Sequence, residues 1–121
     1  MQIAQKNFYK KLFGRAGELK AVDYLKGKGY KILETNFKTR IGEIDIIAQD
    51  DEYTVFVEVK TRVDDAYGAP SEAVGKRKRE KYEKVATEYL IKNKNTDVPC
   101  RFDVIEIENG KINHITDAFS V

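Results

Sequence analysis

The sequence predicts an α/β protein: one domain, 1–121, with a central mixed β-sheet of about five strands flanked by helices, in the order α-β-β-β-α-β-β. Three observations carry this. Two segments repeat apolar residues at helical spacing, and five short runs are rich in β-branched and aromatic residues. Turn-forming residues separate them. At 121 residues the chain is long enough to bury a core as a single unit.

From Phe8 to Lys26 the apolar positions Phe8, Leu12, Ala16, Leu19, Val22 and Leu25 predict the first helix, which Gly27 and Gly29 stop. Within it, Gly14 and Gly17 sit in one turn, and each costs up to about 1 kcal/mol in a helix interior. Either the helix begins late or something approaches its backbone closely. KILETNF (31–37) reads as the first strand, GEIDIIAQD (42–50) as the second and 53–60 as the third, with Asp51-Glu52 as the turn between the last two. Thr61 to Ser71, with Gly68 and Pro70, reads as a loop, and Ser71 is placed to cap a long helix. That helix carries Val74, Tyr82, Val85, Ala86, Tyr89 and Leu90 as one apolar stripe. Strands at 101–108 and 111–116 close the chain, joined at Asn109-Gly110, a strong hairpin signal.

Composition narrows the chemistry. One cysteine, Cys100, and one histidine, His114, exclude the usual Cys/His zinc cages and disfavour a Ser-His or Cys-His nucleophile. His114 itself reads as an ordinary strand-end residue. No signal peptide is read at the N-terminus and no apolar run approaches a membrane span, so the expected compartment is the cytoplasm, with no membrane partner. Chemistry must then come from carboxylates and lysines. The net charge of +2 hides a segregation: residues 41–60 hold six acids and one lysine, while residues 1–40 hold ten basic residues and three acids. An acidic middle with basic flanks fits an anionic polymer held around a cation-binding centre, or else charge that merely keeps the chain soluble.

A hairpin over residues 51 and 52 opposes residues whose numbers sum to 103, so Asp45 faces Glu58 and Glu43 faces Lys60. One face then carries Ile44, Ile46, Ala48, Val55, Val57 and Val59, and the other carries Glu43, Asp45, Ile47, Phe56, Glu58 and Lys60. The second face is apolar near the turn and ionisable at the far end, as expected of a hairpin buried on both sides. Two facing acids repel, so they call for a cation between them. Lys60 is one candidate, and a hard divalent ion such as Mg²⁺ or Mn²⁺ is the other. Glu18, with Ala21, Val22 and Leu25 at i+3, i+4 and i+7, can add a third acid from the first helix, or can be a boundary glutamate paired with a nearby lysine.

This pattern of an acid on a first helix, GEID on one strand and EVK on the next resembles the PD-(D/E)XK nuclease superfamily, and within it the Holliday-junction resolvases. Over nearly the whole chain it resembles the small bacterial YraN-type family. The matching stretches are GRAGE (14–18), NFKTRIGEIDIIA (36–48), FVEVKTR (56–62), YGAPSEAV (67–74) and RFDVIEI (101–107). The proline of the superfamily's name is replaced here by Ile44. The resemblance implies a restriction-endonuclease-like fold and a Mg²⁺- or Mn²⁺-dependent endonuclease acting on branched or junction DNA, with RNA as the alternative substrate. It implies that Asp45, Glu58 and the backbone carbonyl of Val59 ligate the metal, that Glu18 completes the site directly or through a water, and that Lys60 orients or deprotonates the attacking water. Glu43 is then an outer-shell group or the salt-bridge partner of Lys60.

On this reading KRKREK (76–81) has a purpose. Lys78 falls on the apolar stripe between Val74 and Tyr82, where a lysine is hard to explain as solvent decoration. Lys76, Lys78 and Arg79 are expected to grip phosphates, with Arg40 and Arg62 flanking the acidic hairpin; Lys78 apart, the run also fits a solvated helix face whose lysines pair with Glu80, Glu83 and Glu88. No segment reads as a base-reading element, so recognition by shape and phosphate is expected. One small domain carries one site, so cutting two strands calls for a homodimer or a repair-protein partner. Two other functions fit the same fold: a nucleic-acid-binding module that never cuts, and an adaptor in a repair complex.

Overall fold

The computed structural model describes residues 2–62, 75–95 and 97–119, with side chains from Gly14 onward. Its elements run in the predicted order: α1 (Gln2–Gly27), β1 (Lys31–Lys38), β2 (Glu43–Asp50), β3 (Tyr53–Arg62), α2 (Lys76–Lys92), β4 (Cys100–Glu108) and β5 (Lys111–Phe119). The five strands form one mixed sheet in the order β1-β2-β3-β4-β5. Only the β3–β4 pair is parallel, because α2 carries the chain back across the sheet between them.

Both faces of the sheet are covered. On one side Ile46, Ala48, Val55, Val57, Ile105 and Ile107 pack against Ala21 and Leu25 of α1. On the other, Ile47, Phe56, Phe102 and Val104 pack against Tyr82, Val85, Ala86 and Tyr89 of α2. The inward face of α1 differs from the expected stripe. Gly17, Ala21 and Leu25 face the sheet, whereas Ala16 is exposed and Leu19 is 60% exposed. The i, i+4, i+8 row wins because a small residue at Gly17 lets the helix lie close. A Cβ there would collide with Thr61 Oγ1. Gly14 has open space around it, so of the two glycines only Gly17 answers to a close approach. Phe8 and Leu12 lie where side chains are not described.

Turn chemistry fixes the ends. Gly29 adopts φ 92° just past α1, and the Tyr30 N–H closes back on the Leu25 carbonyl at 2.9 Å. Asn109 and Gly110 both take positive φ, 50° and 78°, as a two-residue primed hairpin turn requires. At α2 the cap is Gly75, with extended backbone and no side-chain cap bond; the expected Ser71 cap and Val74 lie outside the described residues. Residues 61 and 62 extend β3, where a loop was expected, because β4 supplies partners for both of them.

Candidate active site

The β2–β3 register is the one expected, from Asp50↔Tyr53 to Ile46↔Val57. There the ladder stops, one step short of the Asp45–Glu58 pair. Val59 shows why. A continued ladder would give its N–H to the carbonyl of Ile44, but the N–H is donated to Asp45 Oδ2 at 2.8 Å. A side-chain carboxylate has taken the place of a backbone acceptor, and the two strands part. Ile44 consequently leaves the α1 face predicted for it. It packs in the α2 layer with Phe37, Ile47 and Phe56. Asn36, at φ 54°, turns β1 in step and sends Phe37 to the same layer.

Four acids converge electrostatically on this break. Burial pushes the Asp45 carboxyl up to about 7; the Val59 N–H opposes that shift, and the charges of Glu58, Glu18 and Glu43 add to it. Glu58 lies on the α2 face, where its Oε1 accepts a hydrogen bond and a charge from Lys78 Nζ at 3.2 Å. The Lys60 ammonium is disfavoured by burial and by Lys78, against the attraction of Glu58, so its pKa falls below the usual lysine range. Glu18 is half-buried on the face of α1 that Gly17 seats against Thr61. Glu43, half-buried, makes no ion pair with Lys60 among the described residues, which removes one of the two roles foreseen for it.

The basic residues divide by position. Lys78 touches the acid cluster, and Arg62 lies two residues beyond Lys60, part-buried. Arg40 is exposed in the β1–β2 loop and Lys76 is exposed at the start of α2. Arg79 is half-buried, with its Nε out of contact with water and without a hydrogen-bond partner among the described residues. Between the β1–β2 loop and α2 runs an open groove of about 520 Å³, lined by Ile41, Gly42, Glu43, Arg77, Lys78 and Lys81.

The donor set suits a hard divalent cation only in part. Among the described residues no three Asp, Glu, His or Cys side chains gather around one point. Magnesium does not require such a cage: it is held by one or two carboxylates and keeps several waters. Asp45 and Glu58 match that pattern, and burial together with three neighbouring acids disfavours the anionic form of Asp45 in the absence of an ion. Val59 can add its carbonyl, since the N–H and C=O of one strand residue point to the same edge.

A second polar centre was missed in the sequence. Asp103 is fully buried on β4 and takes hydrogen bonds from Arg101 Nε at 3.0 Å and from the Asp117 N–H at 3.0 Å. His114 Nε2 stands 2.7 Å from Asp103 Oδ2, and its Nδ1 stands 3.2 Å from the Tyr24 hydroxyl. Arg101 continues the network to Asp50 and to the hydroxyl of Tyr30. His114 is therefore a buried link between α1 and the sheet, not an ordinary strand end. The available signal was the alternation in RFDVIEI, which continues the apolar face of Ile105 and Ile107 into Asp103 and Arg101.

Comparison with known proteins adds a family. The family model described as "Uncharacterised protein family UPF0102" matches residues 17–107. The chain belongs to the UPF0102 family. A UPF0102 protein of Alkaliphilus oremlandii is 50% identical over 115 residues, covering 90% of this chain and 98% of the relative. One from Thermodesulfovibrio yellowstonii is 50% identical over 106 residues, covering 88% and 94%. One from Clostridioides difficile is 50% identical over 108 residues, covering 88% and 95%. The UPF0102 match spans Glu18, Asp45, Glu58, Lys60 and Lys78, and ends before His114. No helix among the described residues is long and apolar enough to cross a membrane.

Proposed function

We propose that this UPF0102 protein is a metal-dependent endonuclease acting in the cytoplasm on branched or junction DNA. The observation that carries the reading is Asp45: a carboxylate drawn out of water at a broken strand ladder, beside three other acids and with no ion pair among the described residues. A protein that tolerates such repulsion gains from an ion placed there. The resemblance of GEID and EVK to the PD-(D/E)XK pattern supports the same assignment.

Asp45, Glu58 and the Val59 carbonyl would hold Mg²⁺ or Mn²⁺, Glu18 would complete the site directly or through a water, and Glu43 would stand in the outer shell. The ion supplies a Lewis acid that offsets charge on the phosphate during attack. Lys60, with its ammonium weakened by burial and by Lys78, orients the attacking water and accepts its proton. The water oxygen bonds to phosphorus as the bond to the leaving strand oxygen breaks. Arg40, Arg62, Lys76, Lys78 and Arg79 bind the flanking phosphates, a contact set that positions a strand without reading its bases. One such site cuts one strand, so a paired cut requires a second copy or a repair-protein partner.

The test is a panel of single-stranded, duplex, flap and four-way DNA, and matched RNA, incubated with Mn²⁺. Wild-type protein nicks branched DNA, and Asp45→Asn loses at least about 100-fold in rate while still binding, since even partners behind a metal ligand are worth 10–100-fold. Equal cleavage by both proteins would assign the activity to a contaminant. Binding without cleavage across the panel points to a module that never cuts, and binding that ignores salt points to the adaptor.

A further inference from the structure

The two strand carboxylates at the break are not equivalent. Asp45 accepts only the Val59 N–H among its described contacts, whereas Glu58 is engaged by an ammonium from another element, Lys78 Nζ at 3.2 Å. Lys78 makes the one ion pair between α2 and the sheet among the described residues, although Lys76, Arg77, Lys81 and Lys84 share that helix. The pair is asymmetric in its surroundings too. The Glu58 side chain is 14% exposed and Lys78 is 43% exposed, so the lysine is the partner free to move. Its stem rests beside Tyr82, with Nζ 5.8 Å from the ring centroid.

A dication held by Asp45 and Glu58 would compete with Lys78 for the Glu58 carboxylate, whose Oε1 Lys78 holds, and would repel the ammonium beside it. Lys78 must then swing out, and its alternative position is the groove that it already lines with Arg77, Lys81 and Ile41. Among the described residues that groove offers it no carboxylate except Glu43 at the rim, and its other cations call for an anion. A strand phosphate lying there would take the displaced ammonium together with Arg77.

We propose that Lys78 is a latch: it neutralises Glu58 when no divalent ion is held, and exchanges that carboxylate for a strand phosphate when one is. Metal and nucleic acid therefore bind cooperatively, and by linkage each tightens the other by the same factor. This rests on the metal-and-strand reading above and adds its regulation. Lys78 is a positioning residue in this role, acting through Glu58 and the phosphate.

The test measures Mn²⁺ affinity by calorimetry, with and without a junction DNA whose phosphorothioate linkages slow cleavage, for wild type, Lys78→Met and Lys81→Met. Lys81→Met makes the same change of charge one turn along the helix without touching a carboxylate. Without DNA, Lys78→Met binds Mn²⁺ about three- to fivefold more tightly than wild type, the size of a half-exposed ion pair, and Lys81→Met changes by less than twofold. DNA tightens Mn²⁺ binding by at least about fivefold in wild type and in Lys81→Met, and by less than twofold in Lys78→Met. Circular dichroism confirms that each variant is folded. Lys78→Met behaving like Lys81→Met in both respects overturns the latch and leaves the nuclease reading standing. Wild-type protein that takes up neither Mn²⁺ nor DNA overturns both.

Discussion

Asp45 and Asp103 are both acids on sheet strands, on β2 and β4 to either side of β3, and the protein treats them in opposite ways. Asp103 is fully buried, yet its pKa lies below the usual carboxylate range. Burial alone would raise it, but contacts from His114, Arg101 and the Asp117 N–H more than offset that. Asp45 is less deeply buried, yet its carboxyl is pushed up to about 7, because one N–H does not balance burial and three acidic neighbours. Burial depth does not set the direction of the shift; the count of partners does. Asp103 is finished by the protein itself, and Asp45 is the acid that we propose a metal ion completes.

Three perturbations break or sharpen that contrast. The largest effect is expected from Asp103→Ala. Removing the carboxylate leaves Arg101 and His114 facing a void, and the loss is about 3–5 kcal/mol at pH 7 in urea denaturation. A loss under about 1 kcal/mol would mean the network is ornamental. The second effect has the opposite sign. The folded state holds the Asp45 proton more tightly than the unfolded chain does, so ionising this group costs stability. That cost is absent below about pH 4, where both states are protonated, grows between about 4 and 7, and is complete above. Asp45→Asn keeps an acceptor for the Val59 N–H and should gain roughly 1–2 kcal/mol at pH 8, after allowance for solvent screening. It should gain nothing at pH 4, and equal stability at both pH values would contradict the contrast. A third effect, no larger than the second, comes from Gly17→Ala, which drives a Cβ against Thr61 beside the candidate site. It should cost about 1–2 kcal/mol, and Thr61→Ala should recover part of that. Hydrogen exchange should quicken at Val59 and stay slow at Asp117, which lies in the other network.

The sequence made much of this legible, and the gaps have physical causes. Element order, the Asn109-Gly110 turn and the 103-sum register could be read because periodicity and turn chemistry are local. The face of Ile44 could not, because strict alternation assumes an unbroken ladder, and the break depends on where one carboxylate sends its oxygen. Leu19 was misplaced because the close approach of Gly17 to Thr61 outweighs hydrophobic spacing along α1. Lys78 was noticed as an anomaly on an apolar stripe, and its partner Glu58 explains it. His114 was passed over because its partners Tyr24 and Asp103 are 90 and 11 residues away, and no local pattern links them. The acid cluster was anticipated in membership but not in form, since its acids meet around a parted ladder and not across a paired one.

The claim most exposed to test is that Asp45 is an unfinished carboxylate. Its side-chain carbon can be labelled with ¹³C and its resonance followed across pH, with and without Mg²⁺. The account predicts a midpoint near 7 for the protein alone, falling by at least about two units when the ion is present. A midpoint near 4 in both conditions would show that the protein already satisfies this group, and would leave the nuclease reading without its foundation.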